Sequence, residues 1–487
     1  MVTKTYTVGP HNPFEAQYPL SSCDLQVPPV FTCKAFIYST NGNLSASSPE
    51  AQGLVSRLQD SLVSFLQPIS PGVLAYPQIL GQIVKPVDGG RPCIAVKKSF
   101  SIQFKVVEMP DIEFSSLHHN GRFSVDAINI AGFRDGLDRA SLMNLPEVSH
   151  NFTFQLTFIN GGFVLLAQVA HQITDASGFA GFIRHWFQRA RDGSSTYSQV
   201  ESNPQVSLAM HDKSRLCQED IQGDTDALRK LELAYKDVPT VKRPVAIGNG
   251  ERVAKIFWVS AQSLKDLRTT LQAESANQPT SFQAVVALLW RCIIRTRLTP
   301  ENNTPSTMSK GFLVTNMSQR LSPPLPKDFF GNSATWVFAE IPQSALLEEK
   351  RHASAINAIQ KTLQEDTTEL SLQLANQFIS RQMQVGVYPP MDLTGNDVLF
   401  NSWEHFYPDL VDLDIGLGSF CTMRRLTDSI VPSLVLILPS YGRRSHGPED
   451  KNPCQYPGGI EVQVHLFANQ MELLQKDPEW LHYASTI

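Results

Sequence analysis

The run Phe163-Val-Leu-Leu-Ala-Gln-Val-Ala170 constrains this chain more than any other segment. Apolar and rich in β-branched residues, it reads as a buried strand. The segment Ala176-Ser-Gly-Phe-Ala-Gly-Phe-Ile-Arg-His-Trp-Phe187 follows and reads as a helix. Between them lies His171-Gln-Ile-Thr-Asp175. A histidine at a strand end, opening onto a turn, stands where a rigid scaffold can present a general base.

The spacing alone proves little, because histidine precedes aspartate by four positions at His171/Asp175, His405/Asp409 and His446/Asp450. Chance in a chain of this composition gives roughly one such match, so context must decide. His446 lies in a polar, proline-broken stretch that reads as a surface loop. Pro408 interrupts the second match, and no strand enters it. Only His171 has the strand–turn–helix setting.

A chain of 487 residues accommodates two domains or one unusually large one. Lys+Arg 41 against Asp+Glu 46 gives a net charge of −5, without the basic footprint of a nucleic-acid binder. No apolar run approaches the ~20 residues of a membrane span. The first ten residues lack the apolar core of a signal peptide. Seven scattered cysteines without a Cys-x-x-Cys pair argue against a disulfide framework and a zinc site, so the cytosol is the expected compartment.

The chain carries no repeat. Phe31 to Tyr38 reads as a strand, and Leu54, Leu58, Leu62, Phe65 and Leu66 mark one face of a helix. Strands are expected over Ile94 to Val107 and Asn151 to Ala170, the latter a hairpin through Asn160-Gly-Gly162. A polar stretch opens at Asp192 and lasts to about residue 250, dividing the chain into 1–205, a crossover over 206–250, and 251–487. The second half then restarts the same grammar. Val253–Val259, Gly311–Met317, Ala334–Ile341, Pro432–Leu438 and Gly459–Phe467 read as strands, Ser281–Arg297 as a helix, and Pro300–Thr307 as a mobile loop. Strands and helices mixed in both halves predict an α/β protein of two similar domains with the site between them.

Several segments, taken in order, resemble the BAHD acyl-CoA-dependent acyltransferases, in particular their fungal branch. His171-x-x-x-Asp175 is similar to the family's catalytic motif. Thr280 to Arg291 resembles its helix ending in tryptophan; Asn316-Met-Ser-Gln-Arg320, Pro323-Pro-Leu-Pro326 and Phe330-Gly-Asn332 resemble its next string. Asn401-Ser-Trp403 stands for Thr-Ser-Trp, and Asp414-Ile-Gly-Leu-Gly418 for Asp-Phe-Gly-Trp-Gly. Gly458-Gly-Ile-Glu-Val462 looks like the closing strand. Ala176 replaces the usual glycine, and Ile415 and Leu417 replace Phe and Trp. The resemblance implies two chloramphenicol-acetyltransferase-like domains with a channel between them; nothing in the sequence suggests more than a monomer, and no metal is expected. The resemblance also implies an acyl-CoA donor, acetyl-CoA foremost, and a small-molecule alcohol acceptor.

Acyl transfer to an alcohol needs a base, stabilisation of an oxyanion and exclusion of water. With an unperturbed pKa of about 6.5, His171 is the expected base. Asp175 reads either as its dyad partner or, as the resemblance implies, as half of a buried ion pair, with Arg320 the expected partner. Trp403 and Asn401 share one strand face and can donate to an oxyanion; a tryptophan in a strand is otherwise core. Asp414, Gly416 and Gly418 are implied to form a structural turn near the CoA channel, with Gly416 counted among cofactor contacts. Ser260 and Lys265 match the segment lining the donor entrance, or are a helix cap and a solvated lysine. Asn332 lines the tunnel or caps a strand. A condensation-type or carnitine-type transferase, an acyl-CoA hydrolase, an N-acyltransferase and a non-catalytic binding protein remain alternatives. Condensation domains double the histidine, whereas position 170 is alanine.

Overall fold

The computed structural model describes residues 2–86, 89–119, 121–130, 132–133, 151–193, 203–217, 250–275, 277–298, 307–348, 353–382, 385–386, 389, 391–404, 413–426, 431–438 and 459–487. The polar stretch after residue 193, most of the 206–250 crossover, the 300–307 loop except its last residue, and His405 and His446 lie outside them.

Thirteen strands build two mixed sheets. Strands β1 (Val2–Val8), β2 (Phe31–Ser39), β3 (Ile102–Glu113), β4 (Phe152–Asn160) and β5 (Gly162–Ala170) belong to the first half, and β6 (Arg252–Val259), β7 (Met308–Asn316) and β8 (Ala334–Pro342) to the second. There follow β9 (Val398–Ser402), β10 (Ser419–Leu426), β11 (Leu434–Ile437), β12 (Ile460–Phe467) and β13 (Ala484–Thr486). The first sheet runs β1-β3-β4-β5-β2-β10 and the second β8-β7-β9-β11-β12-β6-β13. One strand therefore departs from the division by chain position. Residues 419–426 lie in the 251–487 segment yet pair antiparallel with β2, completing the first sheet.

The unbroken apolar run of β5 is explained by its place. Every residue from Gly162 to Ala170 is buried, Leu165, Ala167 and Val169 in the core under the helices and Val164 and Leu166 in the core behind the sheet. Parallel and central strands read as continuous hydrophobic runs for this reason. Gly161, at φ +79°, closes the expected hairpin from β4.

Helices α1 (Ser22–Gln26), α2 (Pro49–Phe65) and α3 (Ala176–Asp192) flank the first sheet; α4 (Ala261–Gln272) and α5 (Ser281–Arg295) flank the second. Two further helices, α6 (Ala353–Glu365) and α7 (Glu369–Ser380), were not legible in the sequence. Thr280 and Gln283 form a capping box on α5, whose residues 284–294 are all buried, and Trp290 donates to the Ser309 hydroxyl at 2.8 Å. The tryptophan of this segment is core.

The two halves meet through the second sheet. Val462, Val464 and Leu466 of β12 face α5, so the alternating Glu461, Gln463 and His465 face the other way. There Glu461 meets Arg424 of β10 at 2.9 Å, both groups almost fully buried. Leu436, Leu438, Ala254 and Ile256 join the core of the first half.

Buried histidines give this fold an acid limit. Burial holds His185 (4% exposed) at about 3 and His465 (0%) well below its ordinary value. Unfolding lets both rings take protons near pH 6.5, so their contribution is complete above that pH and shrinks as the pH falls. Each ring removes about 1.4 kcal/mol per pH unit. Urea midpoints should fall steadily between pH 6.5 and 5; a flat profile would contradict the burial of both rings.

Candidate active site

His171 follows the last residue of β5. Its backbone N–H donates to the Val30 carbonyl at 3.0 Å, which ties the turn to the start of β2. The residue is half-buried, but its Nδ1 is enclosed and without a partner on another residue. The ring's only backbone acceptor is its own carbonyl, which favours protonation, whereas burial, the larger effect, and then Lys34 depress the pKa below the ordinary histidine value. The accessible nitrogen is therefore Nε2, and near neutral pH its lone pair is free.

The carbonyl of His171 is held as well. Asn332, fully buried, donates its Nδ2 to that oxygen at 2.9 Å and to Asp24 Oδ1 at 2.8 Å. Asp24 Oδ1 also receives the Asn332 N–H, while Oδ2 receives the Ser21 N–H and pairs with Lys213 at 2.6 Å. Asn332 is thus no tunnel-lining residue. It connects the base to a buried Lys213–Asp24 ion pair.

Asp175 does not pair with Arg320. It caps α3, its Oδ1 accepting from the Ser177 and Gly178 N–H groups at 2.9 and 3.0 Å. Its Oδ2 accepts from the N–H and hydroxyl of Ser333 at 2.8 and 3.1 Å. Four donors fill the carboxylate and turn it away from the imidazole. Arg320 instead donates to the Thr367 hydroxyl at 2.6 Å. Asp175 makes no ion pair among the described residues; the buried pair at this site is Asp24 with Lys213. Its partners lie 189 positions apart, and only Ser21-x-x-Asp24, a capping-box spacing, gave a local signal that the aspartate is used.

The loop over residues 329–333 joins the halves at this point. Gly331 accepts the Asp175 N–H at 3.2 Å, and the Phe330 N–H reaches the Met210 carbonyl at 2.7 Å. The Phe330 ring packs 4.8 Å from Tyr76 in the first half's core. A side chain at Gly178 would place its Cβ 2.3 Å from Thr174 Oγ1 and 3.0 Å from the Phe329 carbonyl, so this approach requires glycine.

Val398 and Phe400 of β9 face α5, leaving Asn401 and Trp403 on the opposite face. Trp403 is 6% exposed and sits in the first half's core, and its backbone N–H donates to the Ile437 carbonyl at 2.8 Å. Neither its indole N–H nor the Asn401 amide has a hydrogen-bond partner among the described residues. Both are available donors, although Trp403 is also core.

A residue absent from the sequence expectations stands close by. Lys34 of β2 is 5% exposed, its Nζ lying 3.9 Å from the Phe179 ring centroid and 5.5 Å from that of Trp403. A single charge inside Phe31-Thr-Cys-Lys-Ala-Phe-Ile-Tyr38 was the available signal, since buried lysines are ordinarily paired.

The remaining expected residues stand apart from the base. Ser260 caps α4, accepting from the Ser263 N–H at 3.0 Å, and Lys265 is exposed on that helix. Gly416, at φ +76°, donates to Asp414 Oδ1 at 2.7 Å beside Arg57 and Arg191. Arg191 ends the helix that Asp175 begins, about 24 Å away along its axis. Gly416 is therefore part of a structural turn at the far end of α3. Gly418, at φ +69°, would bring a Cβ 2.6 Å from the Ser39 carbonyl as β10 enters the first sheet.

Two mixed sheets meeting over a half-buried imidazole make up the two-domain, chloramphenicol-acetyltransferase-like acyltransferase class. Fusarium graminearum TRI101 complexed with coenzyme A and deoxynivalenol superposes with a TM-score of 0.74 at 16% identity, over 97% of this chain and 99% of that one. Vinorine synthase gives 0.64 at 15%, over 99% and 98%. The chain belongs to the BAHD acyltransferases: the family model described as the Transferase family matches residues 140–481. Among curated relatives, trichothecene 3-O-acetyltransferase of Saccharomyces cerevisiae is 24% identical over 349 residues, 69% of this chain and 68% of its own. The protein is an acyl-CoA-dependent acyltransferase. No helix among the described residues is long and apolar enough to cross a membrane.

Proposed function

We propose that the chain transfers an acetyl group from acetyl-CoA to a hydroxyl of a secondary metabolite, a terpenoid, alkaloid or polyketide, with His171 as general base. The observation that carries this reading is the imidazole with Nδ1 enclosed and Nε2 accessible. Nε2 takes the hydroxyl proton as the acceptor oxygen attacks the thioester carbon. The tetrahedral oxyanion receives the Trp403 indole N–H and the Asn401 amide. Collapse breaks the carbon–sulfur bond, and the proton on Nε2 passes to the departing thiolate. The acceptor oxygen attacks the thioester directly and its proton returns to the thiolate, so no acyl-enzyme is needed. Asp175 holds the turn rather than the proton. Lys265, exposed near the start of α4, is the proposed contact for CoA phosphates; the Ser260 hydroxyl is already engaged as a cap. The acceptor class rests on the relatives, one named for acetylating a trichothecene and one crystallised with deoxynivalenol.

Calorimetric titration with acetyl-CoA and free CoA tests the donor side. Saturable binding, followed by gain of one acetyl group on an alcohol in a mass-spectrometric screen, is expected. A folded protein that binds no acyl-CoA would overturn the reading.

A further inference from the structure

We propose that Lys34 is a positioning residue of the acyl-transfer site, its buried ammonium keeping the His171 imidazole free of a proton and excluding cationic acceptors. The inference rests on His171 being the base.

Strand β2 runs beside β5 with Lys34 opposite Ala167 and Phe31 opposite Ala170, so it flanks the turn that carries the imidazole. Phe36 and Tyr38 belong to the core under α3, whereas Cys33, Ala35 and Ile37 belong to the core behind the sheet. Alternation thus turns Lys34 toward α3 and the base. Its Nζ faces the Phe179 and Trp403 rings, and its hydrogen bond to Thr32 Oγ1 is a long one, 3.4 Å. Among the described residues no carboxylate pairs with it. Asp175 attracts it, but four other donors fill that carboxylate. Aromatic faces are what stabilise this charge.

The groups acting on the pair come from every neighbouring element. Arg425, the cross-strand neighbour of Lys34 on β10, repels both, Asp175 attracts both, and Cys33 favours the charged lysine. Among the charges acting on His171, Lys34 is the largest. Burial brings Lys34 itself down to about 7. Burial depresses both groups, and the charge that Lys34 carries below that pH opposes protonation of the imidazole. The same charge sorts acceptors. A hydroxyl arrives neutral, whereas an amine arrives as an ammonium and meets Lys34.

The test is NMR titration of the His171 imidazole in the intact protein, compared among wild type, Lys34→Met and Lys34→Arg. Loss of the charge should raise the His171 pKa by about half a unit to one unit, and arginine should hold it low. The acid limb of acetyl transfer should move with it. An unchanged His171 titration in Lys34→Met, or an equal rise in Lys34→Arg, overturns the proposal. If the methionine variant does not fold, wild type carries the test. Its His171 resonances should show a second inflection near pH 7 as Lys34 ionises, and a single curve at the ordinary histidine value refutes the coupling. Because the titration needs no turnover, absence of acetyl transfer in all variants would count against the proposed function alone.

Discussion

Replacement of His171 by alanine lowers acyl transfer by about 10²–10⁴-fold while melting temperature and CoA affinity stay near wild type. Among the described residues the imidazole makes no hydrogen bond to another side chain, so its loss strands no partner there. The bond from Asn332 reaches the backbone carbonyl and survives the substitution. Decoy substitutions at His405 and His446 should leave the rate unchanged. A folded His171→Ala protein retaining more than about a tenth of wild-type activity would remove the histidine from the mechanism.

Asp24→Ala should destabilise the protein by about 3–5 kcal/mol, the penalty for leaving one partner of a buried ion pair alone. Lys213, only 9% exposed, loses its counter-ion, and the Asn332 and Ser21 N–H groups lose their acceptor. Asp24→Ala combined with Lys213→Met should recover much of the loss, because it removes both charges. Denaturant melts of the three variants measure the coupling directly. If the double variant is as unstable as the single one, the ion pair is not the source of the penalty. Asp175→Ala loses instead a helix cap and the two Ser333 bonds, a smaller penalty without a stranded charge.

That exchange of roles marks where sequence reading stops. The β5–turn–α3 unit was legible because its signals are local: a continuous apolar run, a cap residue and an amphipathic helix in direct succession. The same is true of the hairpin at Gly161 and the buried α5. Arg320 was the expected partner for Asp175 because the resemblance implies a buried pair, and a resemblance carries no distance between side chains. Asp24 and Lys213 meet only because the fold brings them together. Helices α6 and α7 present narrower apolar faces than α5, and the pairing of β10 with β2 depends on an edge that no local pattern encodes.

The pairing of β10 with β2 also governs how the chain can be assembled. A ribosome releases β2 and β5 long before residues 419–426 emerge, so the edge of β2 must wait unpaired through most of synthesis. An open, largely apolar strand edge is a template for pairing with other chains. Cutting the gene at the crossover would make that state permanent in the first fragment. Neither fragment is then a self-sufficient folding unit, and co-expression of the two, rather than separate purification, is the route by which a split protein would regain its shape.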